Sequence, residues 1–199
     1  MSNKTKKIDS AVILNTSAQS SFNLKFDLKK TSTSIAWGKR VSTPFKQKVI
    51  EICIELEASP DHLMACMAFE TGETFKPSIR NKNSNAVGLI QFMPKTAEFL
   101  ETTSEALAAM TAEDQLDYVK KYLMAWKGRY STLSDLYMSI LLPKAIGESE
   151  SYVLFKQGTT AYEQNKGLDL DGDGNITKQE ATTLVQKKLD KGLKIDNVG

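Results

Sequence analysis

The chain has 199 residues, of which 41% are hydrophobic, and its formal net charge is +2. A chain of this length buries one good core and has room for a small appended module, but not for a second full domain. No apolar run approaches the ~20 residues that a membrane-spanning helix needs, and the N-terminus lacks the ~7-residue apolar stretch of a signal peptide, so we expect neither feature.

Residues 1–36 are predicted to form a basic extension. Residues 1–40 carry eight lysines and arginines against two aspartates, a net charge of +6, whereas the rest of the chain carries −4. The extension is rich in Ser, Thr, Lys and Asn and lacks helical periodicity, so we expect it to be flexible, with SFNLKFDLK as a candidate for a short strand. Because nothing in it resembles a nucleic-acid-binding module, we favour a linker or delivery segment over an arm that holds nucleic acid or an anionic envelope.

From residue 42 onward the sequence predicts helices. Thr43-Pro44 and Ser59-Pro60 are both typical of an N-cap followed by a proline, and the apolar periodicity after them extends to about residues 56 and 70. A loop-rich stretch follows. Further helices are predicted to start at 93–94, to follow a cap at 111–114, and to cover 133–146, where Pro143 kinks or ends the last one.

Cysteine and histidine are rare in the chain. The two cysteines, Cys53 and Cys66, lie on apolar helix faces and make no disulfide framework, so we expect reduced core residues, with a single bridge between neighbouring helices as the alternative. The only histidine is His62, which excludes multi-histidine metal sites. It lies in the first turn of a helix, and we expect it to be solvated.

An acid occupies a position where the second helix calls for an apolar residue. Glu70 lies on the same side of this helix as Leu63, Cys66 and Met67. A carboxylate that loses hydration has a raised pKa, so Glu70 could stay protonated near neutral pH and donate its proton, as the general acid of a glycosidase must. On spacing alone, the simpler alternative is a helix-ending glutamate that points outward.

The stretch from Glu70 to Ala97 resembles the signature region of the soluble lytic transglycosylase and goose-type lysozyme superfamily. Its pattern is an acid followed by a small hydroxyl residue, then a polar loop, then a Gly-Leu-x-Gln-x-Met-Pro-x-Thr-Ala run, here residues 88–97. The likeness is to phage lysins and bacterial effector lysozymes and covers about residues 37–155. It implies a mainly α fold, with a lysozyme-like catalytic domain and a loop-rich cleft wall in residues 37–158.

The resemblance implies cleavage of the β-1,4 bond between N-acetylmuramic acid and N-acetylglucosamine, with Glu70 as the acid. In the transglycosylase route the same glutamate then acts as base on the C6 hydroxyl of the muramic residue, whereas in the hydrolytic route water attacks. The expected partner is the glycan strand of peptidoglycan, and a delivery machinery or an immunity protein would be further partners. Made in the cytoplasm without a signal peptide, the enzyme would act in the periplasm or cell wall of a target bacterium after delivery.

Further residues are candidates for this site. Glu73 is the nearest candidate for the second carboxylate that the hydrolytic route usually uses, and a solvated loop glutamate is the alternative. The family often has a Tyr-Asn pair on the helix that supports the acid; here Met138 replaces the asparagine, but the tyrosine could still hydrogen-bond Glu70. The residues that the resemblance assigns to substrate contact or to the wall are Ser84, Asn85, Gly88, Gln91 and Tyr137.

A second motif lies near the C-terminus, where DLDGDGNITKQE fits the calcium loop of an EF-hand. Calcium takes six to eight hard oxygens, and Gly174 permits the sharp turn at the sixth position. The predicted ligands are Asp169, Asp171, Asp173, the carbonyl of Asn175, Thr177 directly or through water, and bidentate Glu180. Residues 159–199 would form the module, with helices over 159–167 and 178–189. Because sensors usually pair their loops and only one is present, we favour a structural role for calcium over a switch.

Two other classes of function are compatible with these motifs. The first is a non-catalytic, calcium-dependent cell-wall-binding or structural module of a phage particle or secretion apparatus. The second is a calcium sensor that binds partner helices. The sensor is disfavoured because it would need a second EF-hand, which the sequence does not contain.

Overall fold

The structure, a computed structural model, describes residues 34–82 and 84–199. The candidate strand SFNLKFDLK and most of the predicted basic extension lie outside the described residues. Residues 34–199 form one compact unit. The unit is mainly helical with one small two-stranded sheet, so the predicted mainly α class is confirmed at that level.

Helices account for most of the described chain. The α-helices are α1 (Thr43–Leu56), α2 (Pro60–Glu70), α3 (Pro94–Phe99), α4 (Ser104–Ala109), α5 (Ala112–Leu123), α6 (Leu133–Leu141), α7 (Thr160–Asn165) and α8 (Lys178–Gly192). Strands β1 (Val153–Lys156) and β2 (Asn175–Thr177) pair antiparallel. Four short 3-10 turns cover Gly38–Arg40, Met124–Trp126, Pro143–Ala145 and Lys166–Leu168. In the described part of the chain, no helix combines the length and the apolar character that a membrane crossing requires.

Side-chain caps set the helix starts, with one correction to the prediction. The cap of α1 is Ser42, whose hydroxyl accepts a hydrogen bond from the Phe45 N–H, and Thr43 is already helical. Ser59 caps α2 in the same way. Each hydroxyl pairs a backbone N–H that the helix itself leaves without a partner.

The structure differs from the prediction at further elements, and helix α4 was not predicted. The helix predicted over 133–146 ends at Leu141, because Pro143 begins a separate 3-10 turn. Strand β1 was not predicted. It pairs Phe155 with Ile176 and Lys156 with Asn175, and this long-range pairing is invisible to local periodicity.

Helix α2 lies at the centre of the core. Six consecutive residues, 63–68, are buried, so the helix is covered on all sides rather than along one stripe. Helix α8 packs along α2 and also contacts α6, and Ala181, Val185 and Leu189 of α8 are buried. The segment predicted as a separate calcium module therefore shares the core of the helices before it.

The cysteines are free thiols inside this core, as expected. Loss of hydration raises the pKa of Cys53 to about 12 and that of Cys66 well above its ordinary value, so both stay protonated. The His62 side chain differs from the prediction that it is solvated. It is half-buried, and the lost hydration lowers its pKa although the neighbouring Asp61 opposes the shift.

Candidate functional site

Glu70 is the last residue of α2 and is half-buried. Loss of hydration raises the pKa of its carboxyl group to about 8. Among the described residues, none donates a hydrogen bond to this carboxyl group, so no interaction offsets the desolvation. Glu70 is therefore protonated at neutral pH, as the apolar stripe beneath it predicts.

The chain turns sharply directly after Glu70. Three of the next five residues have left-handed backbones: Gly72 with φ 58°, Glu73 with φ 68° and Phe75 with φ 52°. The Thr71 hydroxyl stabilises the turn, because it donates to the Met67 carbonyl at 2.6 Å and accepts from the Phe75 N–H at 3.1 Å. The turn ends α2 and fixes the direction in which Glu70 leaves the helix.

Glu73 is held by α8. One oxygen of its carboxylate accepts from Lys188 Nζ at 2.6 Å and the other from Lys191 Nζ at 2.5 Å. Partial loss of hydration would raise the pKa of Glu73, but the two lysines outweigh that effect and lower it. The carboxylate stays ionised and ion-paired across the fold, which matches neither a free second carboxylate nor a solvated loop glutamate.

Tyr137 lies on α6, and its side chain is buried. Its ring meets that of Phe69 edge-on, with centroids 5.6 Å apart. Desolvation raises the pKa of Tyr137 well above its ordinary value, and the charge of Glu70 adds to the shift. The Glu70 carboxyl group thus affects the pKa of Tyr137, but no hydrogen bond joins the two side chains among the described residues.

The loop before α3 folds back on itself through two isolated bridges, from Arg80 to Val87 and from Val87 to Phe92. Gln91 has a left-handed backbone, with φ 52°. Its side-chain Nε2 donates to the Gly88 carbonyl at 3.0 Å and to the Ile79 carbonyl at 3.4 Å. The predicted substrate-contacting glutamine is thus tied to the loop by its own side chain.

The other predicted wall residues lie in the same loop. Asn85 is left-handed with φ 58° and Gly88 with φ 86°. The Ser84 hydroxyl accepts from the Ala86 N–H at 3.3 Å. A polar cavity of about 420 Å³ opens beside this loop. Its lining residues are Arg80, Asn85, Pro94, Glu98, Thr103, Ser104 and Glu105.

A buried glutamine that the sequence analysis missed fixes this loop. The Gln115 side chain is fully buried on α5; its Oε1 accepts from the Leu89 N–H at 2.7 Å, and its Nε2 donates to the carbonyls of Leu107 at 2.8 Å and Pro77 at 3.1 Å. A Cβ added at Gly88 would lie 2.2 Å from Oε1, so this close approach requires glycine. The signal was present in the sequence, because Gln115 lies four residues before Val119 on the apolar side of α5.

The predicted calcium loop lies between α7 and α8. Each of the three aspartates, Asp169, Asp171 and Asp173, offers an oxygen within 4.8 Å of the others. Glu180 is outside that cluster: its Oε2 accepts from the N–H and hydroxyl of Thr177, and its Oε1 accepts from the Leu170 N–H at 2.9 Å. It therefore bridges the two ends of the loop.

The donor set of this loop suits a hard divalent cation. One carboxylate oxygen from each aspartate lies within 4.8 Å of the others, and Gly174 takes the left-handed φ of 83° that the tight turn needs. The backbone carbonyl of Asn175 and the hydroxyl of Thr177 lie in β2 and at its end, at the edge of the same loop. Such a set of hard oxygens fits a cation that prefers carboxylate and carbonyl ligands.

The chain matches no protein-family model, no curated protein and no solved structure in the comparisons made with it.

Proposed function

We propose that the protein is a peptidoglycan-degrading glycosidase, a lytic transglycosylase or lysozyme, in which Glu70 is the general acid. The observation that carries this proposal is the half-buried Glu70 carboxyl group, whose pKa of about 8 keeps its proton at neutral pH. General acids of glycosidases need a pKa raised in this way. The resemblance of residues 70–97 to the superfamily signature supports the same role.

In the proposed reaction, Glu70 transfers its proton to the glycosidic oxygen between N-acetylmuramic acid and N-acetylglucosamine as the bond from that oxygen to the muramic C1 breaks. The nucleophile oxygen then bonds to the muramic C1, and its proton passes to the resulting Glu70 carboxylate. The nucleophile is either the C6 hydroxyl of the same muramic residue, which gives a 1,6-anhydro end, or water, which gives a reducing end. Glu73 has no step in this scheme because both of its oxygens are bound by lysines.

We also propose that residues 169–180 form an EF-hand loop for calcium. Asp169, Asp171, Asp173 and Glu180 would supply carboxylate oxygens, together with the Asn175 carbonyl and Thr177. Bound calcium would neutralise the repulsion between the clustered aspartates and stabilise the start of α8. The ion would support the fold and take no part in the reaction.

The proposal places the protein on the glycan strands of a bacterial cell wall, as a phage lysin or an antibacterial effector would be. It would reach them in the periplasm or wall of a target cell through a delivery machinery, and a producing cell could carry an immunity protein against it. The basic residues before Ser34 are candidates for the delivery segment.

Zymography on purified murein tests the function. We expect clearing by the wild type and by Glu51→Gln, an exposed glutamate on α1, and a loss of ~10²-fold or more in Glu70→Gln, because an amide cannot donate the acid proton. Clearing by Glu70→Gln at the wild-type rate would contradict the proposal that Glu70 is the general acid. Mass spectrometry of the muropeptides separates anhydro ends from hydrolytic ends, which are heavier by one water.

If wild type and Glu70→Gln both sediment with murein and neither clears it, the result supports the alternative of a non-catalytic wall-binding module.

A further inference from the structure

We propose that Glu73, Lys188 and Lys191 are positioning residues for the general acid. Their ion pairs lock the turn after α2 onto α8 and so hold Glu70 in its desolvated position. This inference rests on the proposed function of Glu70, but it concerns residues that take no part in the chemistry.

The first observation is the conformation of the turn. Glu73 and Phe75 are non-glycine residues with left-handed backbones. Such conformations are sparsely populated and persist only where surrounding contacts over-determine them. The turn also follows Glu70 directly, so a change in its path changes where the carboxyl group points.

The second observation is what holds the turn. Lys188 and Lys191 lie one helical turn apart on α8, and both reach Glu73, which lies 115 and 118 residues earlier in the chain. The Glu73 side chain is only 20% exposed. The pair with Lys188, whose side chain is 29% exposed, is screened less by solvent than a surface pair, whereas the Lys191 side chain is 51% exposed. The Lys188 pair joins the turn to α8, whereas the hydrogen bonds of the Thr71 hydroxyl hold the turn only locally.

The third observation is an aromatic contact that joins the same two elements. The Trp37 ring packs against Phe75 with centroids 6.1 Å apart, its Nε1 donates to the Lys188 carbonyl at 2.9 Å, and Lys191 Nζ lies 5.6 Å from its centroid. Both lysine positions therefore contact the turn twice, through Glu73 and through Trp37. The α8 surface that faces the turn therefore contacts it at more than one residue.

Loss of the ion pairs would let the turn relax and the last turn of α2 fray. Water would then reach the Glu70 carboxyl group, and its pKa would fall from about 8 towards its ordinary value. A smaller fraction of the enzyme would hold the acid proton at neutral pH. The effect appears in kcat and in the pH profile, because the substitutions change the acid and not the residues proposed to contact the substrate.

The test compares Glu73→Gln and the double variant Lys188→Met/Lys191→Met with Lys187→Met, an exposed lysine on the same helix. We expect kcat to fall by about tenfold to a hundredfold in Glu73→Gln and in the double lysine variant, with KM changed less than about twofold. Misplacement of a catalytic group lowers kcat by such factors. We also expect the alkaline limb of their pH profiles to move down by about one pH unit. Lys187→Met should behave as wild type.

A combination of the three substitutions separates positioning from general stability. Since the residues act as one unit, Glu73→Gln/Lys188→Met/Lys191→Met should lose no more activity than either part alone. Additive losses, an unmoved pH profile, or an equal loss in Lys187→Met would overturn the inference.

Carbon-13 NMR titration of the glutamate carboxyls provides a readout that does not depend on activity. The Glu70 signal, assigned through Glu70→Gln, should titrate near pH 8 in wild type and lower in Glu73→Gln. If wild type clears no murein but this shift is observed, the proposed function fails, and only the part of the inference that the ion pairs hold the Glu70 carboxyl group in its desolvated position stands. If wild type is active and Glu70 titrates identically in both, the positioning inference fails and the function stands.

Discussion

Glu70 has an energetic cost as well as the chemical role proposed for it. Its carboxyl group loses hydration on folding and gains no donor among the described residues, so the folded state disfavours its ionised form. Groups placed for chemistry in this way commonly lower the stability of the fold that holds them. This destabilisation of the folded state depends on pH, because only the ionised form of the Glu70 carboxyl group is disfavoured.

Replacement of Glu70 by glutamine should therefore stabilise the protein as pH rises. The glutamate ionises near 4.5 when unperturbed and near 8 in the fold, so between these values the native state binds the extra proton and wild-type stability falls with increasing pH. Glutamine does not titrate. Thermal melts of both forms should nearly coincide at pH 4 and separate towards pH 8, by ~2–4 °C for each kcal/mol.

Glu51→Gln provides the control for these melts, because Glu51 is exposed on α1. Its melting temperature should follow wild type at every pH. A constant offset between wild type and Glu70→Gln across the range would contradict a desolvated carboxyl at residue 70.

At the scale of elements, the predicted calcium loop is completed by a strand from outside it. Strand β2 lies within the loop and pairs with β1, so Ile176 is fully buried against Phe155. In paired EF-hands a second loop would supply this partner. Here β1 takes that place, which explains how a single loop can be part of a stable fold and favours a structural role.

Calcium should raise the melting temperature of the wild type, because a ligand that binds only the folded state stabilises it by mass action. At calcium a hundredfold above Kd the gain is about 2.7 kcal/mol. Asp169→Ala should abolish the rise. Asp196→Ala, which changes an exposed aspartate outside the loop, should retain it.

Magnesium at the same concentration tests selectivity, since it demands stricter octahedral geometry than calcium. An unchanged wild-type melt with calcium would count against the EF-hand.

At the scale of the whole molecule, α8 connects the predicted metal loop to the candidate acid. At its N-terminus, Lys178 is buried and pairs with Asp135 of α6 at 2.8 Å. Near its C-terminus, Lys188 and Lys191 hold Glu73. The same end is covered by residues 34–39: the Trp37 N–H donates to the Gly192 carbonyl, and the Lys39 N–H to that of Asn197. One helix thereby links segments from most of the described chain.

Gly192→Ala should destabilise the protein, although alanine is normally favoured over glycine in a helix by ~0.5–1 kcal/mol. A Cβ at Gly192 would lie 2.4 Å from the Trp37 ring, so the ring must move and its hydrogen bond to Lys188 weakens. Overpacking of this kind costs ~1–3 kcal/mol, seen as a lower melting temperature.

Gly167→Ala is the matched control, since nothing lies within 4 Å of a Cβ there. It should leave the melting temperature unchanged or slightly raised. A neutral Gly192→Ala would show that α8 and Trp37 are not tightly packed.

The sequence by itself determined the elements whose signals are local. Caps and prolines placed the starts of α1 and α2 to within one residue, and the spacing of acidic residues located the cluster at 169–173. Apolar spacing put Glu70 on the same side of the helix as Leu63 and Cys66 but left open whether its side chain points outward. These signals depend on neighbours within a few residues, through helix geometry and turn conformation. Tertiary structure alone decided the rest. The ion pairs of Glu73, the strand that covers Ile176 and the hydrogen bonds of Gln115 join residues from 8 to 118 positions apart, and local spacing carries no information about which distant side chains will meet when the core closes.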